Sequence, residues 1–103
     1  MSARIAIDKI KISDFCRRWK IKELALFGSV LRDDFRENSD VDMLVAFEPD
    51  AHTTLFDMVH MQDELSQIIG RKVDLVSRRG IERSENFIRR KAILSSAEVV
   101  HAA

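Results

Sequence analysis

The chain has 103 residues, of which 46% are hydrophobic and 33% are charged, a composition typical of one small globular domain. Its formal net charge is zero, and its longest apolar runs, such as MLVAF, are too short to span a bilayer. We therefore expect a single domain over residues 1–103 that does not enter a membrane. The lone Cys16 cannot form an internal disulfide and the N-terminus lacks a secretory signal, so we expect a cytoplasmic protein.

The first half of the chain predicts one helix followed by two strands. Residues 8–20 space their apolar side chains like one face of a helix. The apolar run 21–27 predicts a strand that ends at Gly28, and the sequence SVLRDDF after it predicts a short helical turn. Residues 40–47 are apolar on both faces after their two acids, which is typical of a buried central strand, and Pro49 ends that strand.

The second half predicts a helix, a third strand and a final helix. Residues 53–69 carry an apolar helical stripe, and Gly70 stands where such a helix ends. The sequence KVDLVS, residues 72–77, predicts a strand, and Ser84 is predicted to cap a last helix over residues 85–95. This order of elements predicts a small α/β domain.

Three aspartates at the starts of predicted strands indicate a cation site. Asp40 and Asp42 are two residues apart in a strand, so their side chains face the same way, about 6.6 Å apart along the chain. Two like charges held together repel each other, and a divalent cation such as Mg²⁺ would resolve that conflict. If the third strand is a neighbour, Asp74 joins the pair, and three carboxylates can hold two metal ions about 3.5–4 Å apart for in-line phosphoryl or nucleotidyl transfer.

The sequence also offers a candidate phosphate site at Gly28 and Ser29. Glycine lets the backbone approach a phosphate closely, and Ser29 can donate its hydroxyl and its amide at the start of the turn. Each feature has a simpler interpretation by itself: Asp40 and Asp42 as a surface pair, Asp74 as a structural strand-end residue, and Gly28-Ser29 as an ordinary turn. Their combination and order favour a functional site.

Charge is distributed in blocks along the chain. Residues 33–64 hold ten acids and one base, a net charge of −9, whereas residues 1–32 and 71–91 each carry +5. Such blocks are either solvated faces or an acidic, cation-binding centre with basic flanks that attract phosphate. The basic residues after the third strand favour a solvated or partner-facing surface over nucleic-acid binding, because aromatic residues do not alternate with them. They are Arg78, Arg79, Arg83, Arg89, Arg90 and Lys91.

The spacing Gly28-Ser29, ten residues, then Asp40-x-Asp42 resembles the signature of the DNA polymerase beta-like nucleotidyltransferase superfamily. The short length, the later GRKVDLVS and the ending AILSSAEVVHAA are similar to its minimal nucleotidyltransferases, the MNT proteins. The likeness covers roughly residues 8–100. It implies the small polymerase beta-like nucleotidyltransferase fold, an α/β fold with a short mixed central sheet flanked by helices. MNT proteins commonly carry Arg-Gly after Gly-Ser, whereas here Arg32 is followed by Asp33.

The resemblance implies a role for each residue of the motif. Asp40, Asp42 and Asp74 would be metal ligands and catalytic carboxylates for two Mg²⁺ ions, and Asp74 would also orient or deprotonate the acceptor hydroxyl. Gly28, Ser29 and Arg32 would bind the phosphates of the substrate ATP.

The resemblance also implies a partner, because MNT proteins are typically antitoxins of HEPN–MNT toxin–antitoxin pairs. The expected activity is transfer of AMP from ATP to a tyrosine hydroxyl of a HEPN ribonuclease toxin, within a hetero-oligomer, which inactivates the toxin. The chain has no tyrosine of its own, which fits an acceptor on another protein. Two alternatives remain: an antitoxin that only masks the toxin by binding, and a nucleotidyltransferase for a small-molecule hydroxyl.

Overall fold

The computed structural model describes residues 7–31 and 39–102, which form a four-stranded mixed sheet. The strands are β1 (Ile21–Phe27), β2 (Val41–Phe47), β3 (Val73–Ser77) and β4 (Glu98–Ala102). Their order across the sheet is β3-β2-β1-β4. Strand β1 is antiparallel to both of its neighbours, whereas β2 and β3 are parallel. The predicted α/β fold with a mixed sheet is confirmed.

Helices cover both faces of this sheet, and a short 3₁₀ turn follows β1. The helices are α1 (Lys9–Arg18), α2 (Leu55–Ile69), α3 (Arg78–Glu82) and α4 (Phe87–Ser96), and the 3₁₀ turn is Gly28–Leu31. Helix α2 connects β2 to β3, as a crossover between parallel strands requires. None of the helices in the described ranges is long and apolar enough to cross a membrane.

The first face of the sheet, covered by α1 and α2, holds the larger core. Buried side chains of α1 and α2 pack there on alternate residues of the strands, including Met43 and Val45 of β2. Cys16 of α1 is fully buried in this core. Two side-chain contacts join the helices: Arg18 binds Glu64, and Trp19 Nε1 donates to Glu64 Oε1 at 3.3 Å.

The second face of the sheet, covered by α3 and α4, holds a smaller core. Ile81 of α3 and Ile93 of α4 pack there against Ala25, Phe27 and Leu44. Few large side chains are buried on this side, and the first turn of α4 leaves Phe87 and Ile88 exposed. The two faces therefore differ in how completely the helices cover them.

Local sequence signals explain where α2 begins and ends. Thr54 caps its start and forms a reciprocal capping box with Asp57, while Gly70 ends it in the left-handed conformation at φ 78°. Two α2 side chains also bind the outer edge of β3: Ser66 Oγ and Gln62 Oε1 accept hydrogen bonds from backbone N–H groups of that strand, both at 3.0 Å. Helix α2 thus closes the edge of the sheet that β3 would otherwise expose.

The end of the chain differs from the sequence prediction. The last helix starts at Phe87, and its capping side chain is Asn86, which accepts from the N–H of Arg89. The assignment of Ser84 as the cap was wrong, because its hydroxyl binds the N–H of Asn86 within the turn before the helix. Helix α3 and strand β4 were not predicted at all.

Candidate active site

The parallel pairing of β2 and β3 places Asp42 and Asp74 side by side. These two residues are register partners in neighbouring strands, one position in from the start of each strand. Residues in adjacent positions of a sheet point to the same face. The condition on which the sequence prediction of a shared site depended, that the two strands are neighbours, is therefore fulfilled.

Both carboxylates point to the second face of the sheet. Asp42 alternates with the buried Val41 and Met43 of the first face and shares its orientation with Leu44, which packs in the second-face core. Asp74 shares its orientation with Val76 in the same way. Asp42 is half-buried and Asp74 is exposed, so a ligand can reach the pair from the side of α3 and α4.

Gly28 packs directly against the carboxylate of Asp42. Strand β1 ends where β2 begins, so Phe27 pairs with Asp42 and Gly28 follows next to it. A Cβ added to Gly28 would lie 3.3 Å from Asp42 Cγ and would collide with Oδ2, and the backbone there has φ +77°. Only glycine combines this conformation with room for the carboxylate.

Asp40 lies just before β2 and is exposed. The basic residue Lys72, which was not predicted as a site residue, lies next to it. The N–H of Val41 donates to the carbonyl of Lys72 at 2.9 Å, which extends the β2–β3 pairing by one position. Lys72 is two residues before Asp74, and no described carboxylate is within ion-pair distance of its ammonium group. The sequence pattern that could have identified Lys72 is Lys-x-Asp at the start of a predicted strand.

The predicted phosphate-binding residues lie at the end of β1. Ser29 is half-buried in the 3₁₀ turn. The turn begins at Gly28, one residue before the predicted start at Ser29, and the buried Val30 anchors it in the first-face core. Arg32 lies outside the described residues.

The donor set of this site fits Mg²⁺. Asp40, Asp42 and Asp74 offer the hard carboxylate oxygens that this ion prefers. Within residues 7–31 and 39–102, no three acidic, imidazole or thiol side chains converge tightly enough to enclose a metal ion. Mg²⁺ does not need such a cage, because one or two protein carboxylates together with substrate phosphates usually hold it.

Two cavities in the described residues lie away from the carboxylates. One of about 660 Å³ opens at the opposite end of β2 and β3, around Phe47, Ser77 and Arg78. The other, of about 420 Å³, lies beside α1 around Arg17 and His101. The carboxylate pair therefore belongs to neither of these cavities and is presented on an open face.

Comparisons with known proteins identify the family of this chain. The family model described as "Nucleotidyltransferase domain" matches residues 9–99. Among curated relatives, a candidate protein adenylyltransferase of Methanocaldococcus jannaschii, MJ1379, is 34% identical over 64 residues, covering 62% of this chain and 64% of the relative. "Protein adenylyltransferase MntA" of Thermococcus cleftensis is 34% identical over 65 residues, covering 63% and 64%. The chain thus matches less than two thirds of the length of these relatives.

Solved structures share the fold. A candidate minimal nucleotidyltransferase is 35% identical with a TM-score of 0.65, covering 86% of this chain and 85% of that chain. A crystal structure of a toxin–antitoxin with AMP-PNP is 20% identical with a TM-score of 0.70, covering 94% and 75%. A complex of a tri-AMPylated Shewanella oneidensis HEPN toxin with its MNT antitoxin is 20% identical with a TM-score of 0.61, covering 92% and 70%. Because the family model matches residues 9–99, nearly the whole of this chain, the chain belongs to the nucleotidyltransferase domain family.

Proposed function

We propose that this chain, as a single domain, is an antitoxin that transfers AMP from ATP to a tyrosine hydroxyl of a HEPN ribonuclease toxin. The observation that carries the proposal is the register of β2 and β3, which puts Asp42 and Asp74 side by side on an accessible face of the sheet. The similarity to protein adenylyltransferases and the fold shared with toxin–antitoxin complexes support the choice of acceptor and partner.

In the proposed reaction Asp74 receives the proton of the acceptor hydroxyl. The hydroxyl oxygen attacks the α-phosphorus of ATP, the bond from that phosphorus to the bridging oxygen breaks, and pyrophosphate leaves. Asp74 suits the role of base because it is exposed, whereas the half-buried Asp42 is held between Gly28 and β3. Asp74 thus handles the acceptor, and Asp42 belongs to the fixed part of the site.

The remaining residues of the site bind and orient the nucleotide. Asp40 and Asp42, joined by Asp74, would hold Mg²⁺, which when bound supplies charge neutralisation at the phosphates and at the leaving pyrophosphate. Gly28 and Ser29 present backbone and hydroxyl donors to the phosphates at the end of β1, and Arg32 adds a positive charge. The charge of Lys72 beside Asp40 favours the same polyanion.

The test is to incubate the purified HEPN protein encoded beside this chain with the chain, ATP and Mg²⁺, and to measure its mass. We expect one or more added AMP units on a toxin tyrosine. Asp42→Asn and Asp74→Asn should each lower the transfer rate by about 10³-fold or more, and the double variant should be little worse, because the two groups act on one transition state.

The matched control is Asp63→Asn, the same chemical change at an exposed position on α2, which covers the other face of the sheet. Its transfer rate should equal that of the unmodified chain. If the chain neutralises the toxin while adding no mass to it, the transferase proposal is wrong and masking by binding replaces it. If AMP appears on an added small-molecule alcohol and not on the protein, the acceptor is wrong.

A further inference from the structure

The first turn of α4 exposes two neighbouring large apolar side chains. Phe87 is 62% exposed and Ile88 is 81% exposed, in a part of the molecule where few large side chains are buried. Single exposed apolar residues are common on protein surfaces and need no explanation. Two consecutive exposed apolar residues are less ordinary in a segment rich in charged residues, because water solvates neither side chain well.

The surroundings of this apolar pair are strongly basic. Residues 78–91 hold six basic residues and two acidic ones. Two of the bases have internal partners: Arg78 binds Glu23 at 2.9 Å, and Arg90 donates to the carbonyl of Glu82 at 3.3 Å. The other four are exposed and make no ion pair with any described carboxylate; they are Arg79, Arg83, Arg89 and Lys91. We call Phe87, Ile88, Arg83, Arg89 and Lys91 the α4 patch.

The α4 patch belongs to the face of the sheet from which the carboxylates are reached. Ile93 and Leu94 of the same helix pack in the second-face core, and Asp42 and Asp74 point to that face. The first face is filled by α1 and α2. A macromolecule that presents a hydroxyl to Asp74 therefore approaches the second face, where α4 is the longest element that it meets.

We propose that the α4 patch docks the acceptor protein, through an acidic surface that offers an apolar contact to Phe87 and Ile88. This inference rests on the proposed function and adds to it the surface that recognises the acceptor. Charge complementarity argues for an acidic partner, because the bases of the patch, which pair with no described carboxylate, attract opposite charge over the Debye length. The apolar pair would supply the desolvated centre of the contact and the bases its polar rim.

A protein fits this surface better than a nucleic acid does. Single-stranded nucleic acids bind to basic surfaces by stacking bases on exposed aromatic rings. Phe87 is the one aromatic residue of segment 78–96, and the guanidinium of Arg90 stands 5.1 Å from its ring centroid. Ile88, the more exposed of the pair, has no ring to stack on, whereas aliphatic side chains are ordinary contacts in protein interfaces.

The test compares two double variants that make the same kinds of change on opposite faces of the sheet. Ile88→Ser with Arg89→Glu alters the α4 patch. Leu55→Ser with Lys11→Glu is the matched control, because Leu55 is 84% exposed on α2 and Lys11 is exposed on α1. Each double variant is titrated with the HEPN protein encoded beside the chain, and the melting temperature of each is measured with and without Mg²⁺ and ATP.

We expect the α4 variant to bind the HEPN protein at least about tenfold more weakly than the unmodified chain, a loss of about 1.4 kcal/mol, with the control unchanged. Both variants should keep the full melting-temperature shift with Mg²⁺ and ATP, which shows that they are folded and bind nucleotide. In the transfer assay, the KM for the HEPN protein should rise in the α4 variant while kcat at saturating acceptor is retained.

Equal weakening by the two double variants, or no weakening by either, would overturn the docking proposal. If the α4 variant instead loses affinity for a single-stranded RNA oligonucleotide and keeps its affinity for the HEPN protein, the patch binds nucleic acid and the proposal is wrong. A chain that binds the HEPN protein through this patch but transfers no AMP would contradict the proposed reaction and leave the docking surface supported.

Discussion

Gly28 illustrates how one residue can serve a site for a different reason than its sequence context indicates. The pattern Gly-Ser at the end of a strand predicts close approach of the backbone to a phosphate. The structure adds a neighbour inside the protein, because the missing side chain of Gly28 makes room for the carboxylate of Asp42. The sequence could not reveal this contact, since it depends on the antiparallel register that pairs Phe27 with Asp42.

We predict that Gly28→Ala weakens binding of Mg²⁺ and ATP as well as the fold. The new Cβ would displace the Asp42 carboxylate, and the positive φ would add strain of about 1–2 kcal/mol. The chain provides a matched control in Gly70→Ala, where φ is +78° but a Cβ would meet nothing within 4 Å.

Differential scanning fluorimetry with and without Mg²⁺ and ATP separates the two effects. Both variants should melt at a lower temperature, but only Gly28→Ala should lose the ligand-dependent shift. A full shift in Gly28→Ala would show that the position of the Asp42 carboxylate does not matter for nucleotide binding.

At the scale of elements, side chains of helix α2 bind two other parts of the molecule, strand β3 and the end of helix α1. Its Gln62 and Ser66 side chains bind the backbone of β3, and its Glu64 binds Arg18 and Trp19 of the α1 end. The hydrogen bonds from the Arg18 guanidinium hold the pKa of Glu64 below its usual value, against the opposing effect of burial. The link between α1 and α2 therefore depends on the ionised form of one carboxyl group.

This link predicts a pH-dependent contribution to stability. A carboxyl group whose pKa is lower in the folded than in the unfolded protein stabilises the fold above its unfolded pKa, near 4.5, and loses that contribution as the pH falls through its folded pKa. The unfolding free energy of Glu64→Gln should thus lie below that of the unmodified chain at pH 7 and approach it in the acid range. The effect should be modest, since both side chains are partly exposed to screening solvent.

Urea unfolding of both proteins at several pH values between 7 and 3 measures this difference. A gap between the two proteins that stays constant over that range would show that Glu64 acts through its shape or its neutral hydrogen bonds and not through its charge.

The elements that the sequence predicted well are those with strong local signals. Strands β1, β2 and β3 are apolar runs bounded by glycine, proline or charge, and α2 has a capping residue at one end and Gly70 at the other. Strand β4 follows α4 after a single residue, and its partner β1 lies far away in the chain, so nothing local marked it as a strand. Helix α3 has only five residues, too few to show a periodic pattern. The adjacency of Asp42 and Asp74 could be stated only conditionally, because strand order is a non-local property.

At the scale of the whole molecule, the reactivity of the Cys16 thiol reports how often the first-face core opens. Its thiol is fully buried in the first-face core, and burial raises the pKa of Cys16 to about 12, so the reactive thiolate is scarce at neutral pH. A thiol reagent should therefore modify Cys16 only when the core opens.

We predict that modification of Cys16 by an aromatic disulfide is slow in the native protein, fast in denaturant, and slower still when Mg²⁺ and ATP are bound. If the reaction requires opening of the core and reclosing is fast, the rate falls with the open population, by a factor of 1 + [L]/Kd at ligand concentration [L]. Absorbance of the released thiolate follows the reaction. Rapid modification of the native chain would show that α1 leaves the sheet without global unfolding.

The parallel pairing of β2 and β3 also determines when the site forms during synthesis of the chain. The ribosome releases the segment with Gly28, Asp40 and Asp42 before α2, whereas Asp74 follows only after the whole of α2. Pairings between distant segments form late, because the entropy of closing the intervening loop must be overcome first. A growing chain therefore carries half of the carboxylate pair until β3 has been synthesised and has added to the sheet. The proposed antitoxin would therefore gain its chemistry only once β3 has joined the sheet, and a nascent chain that lacks β3 would not modify the toxin.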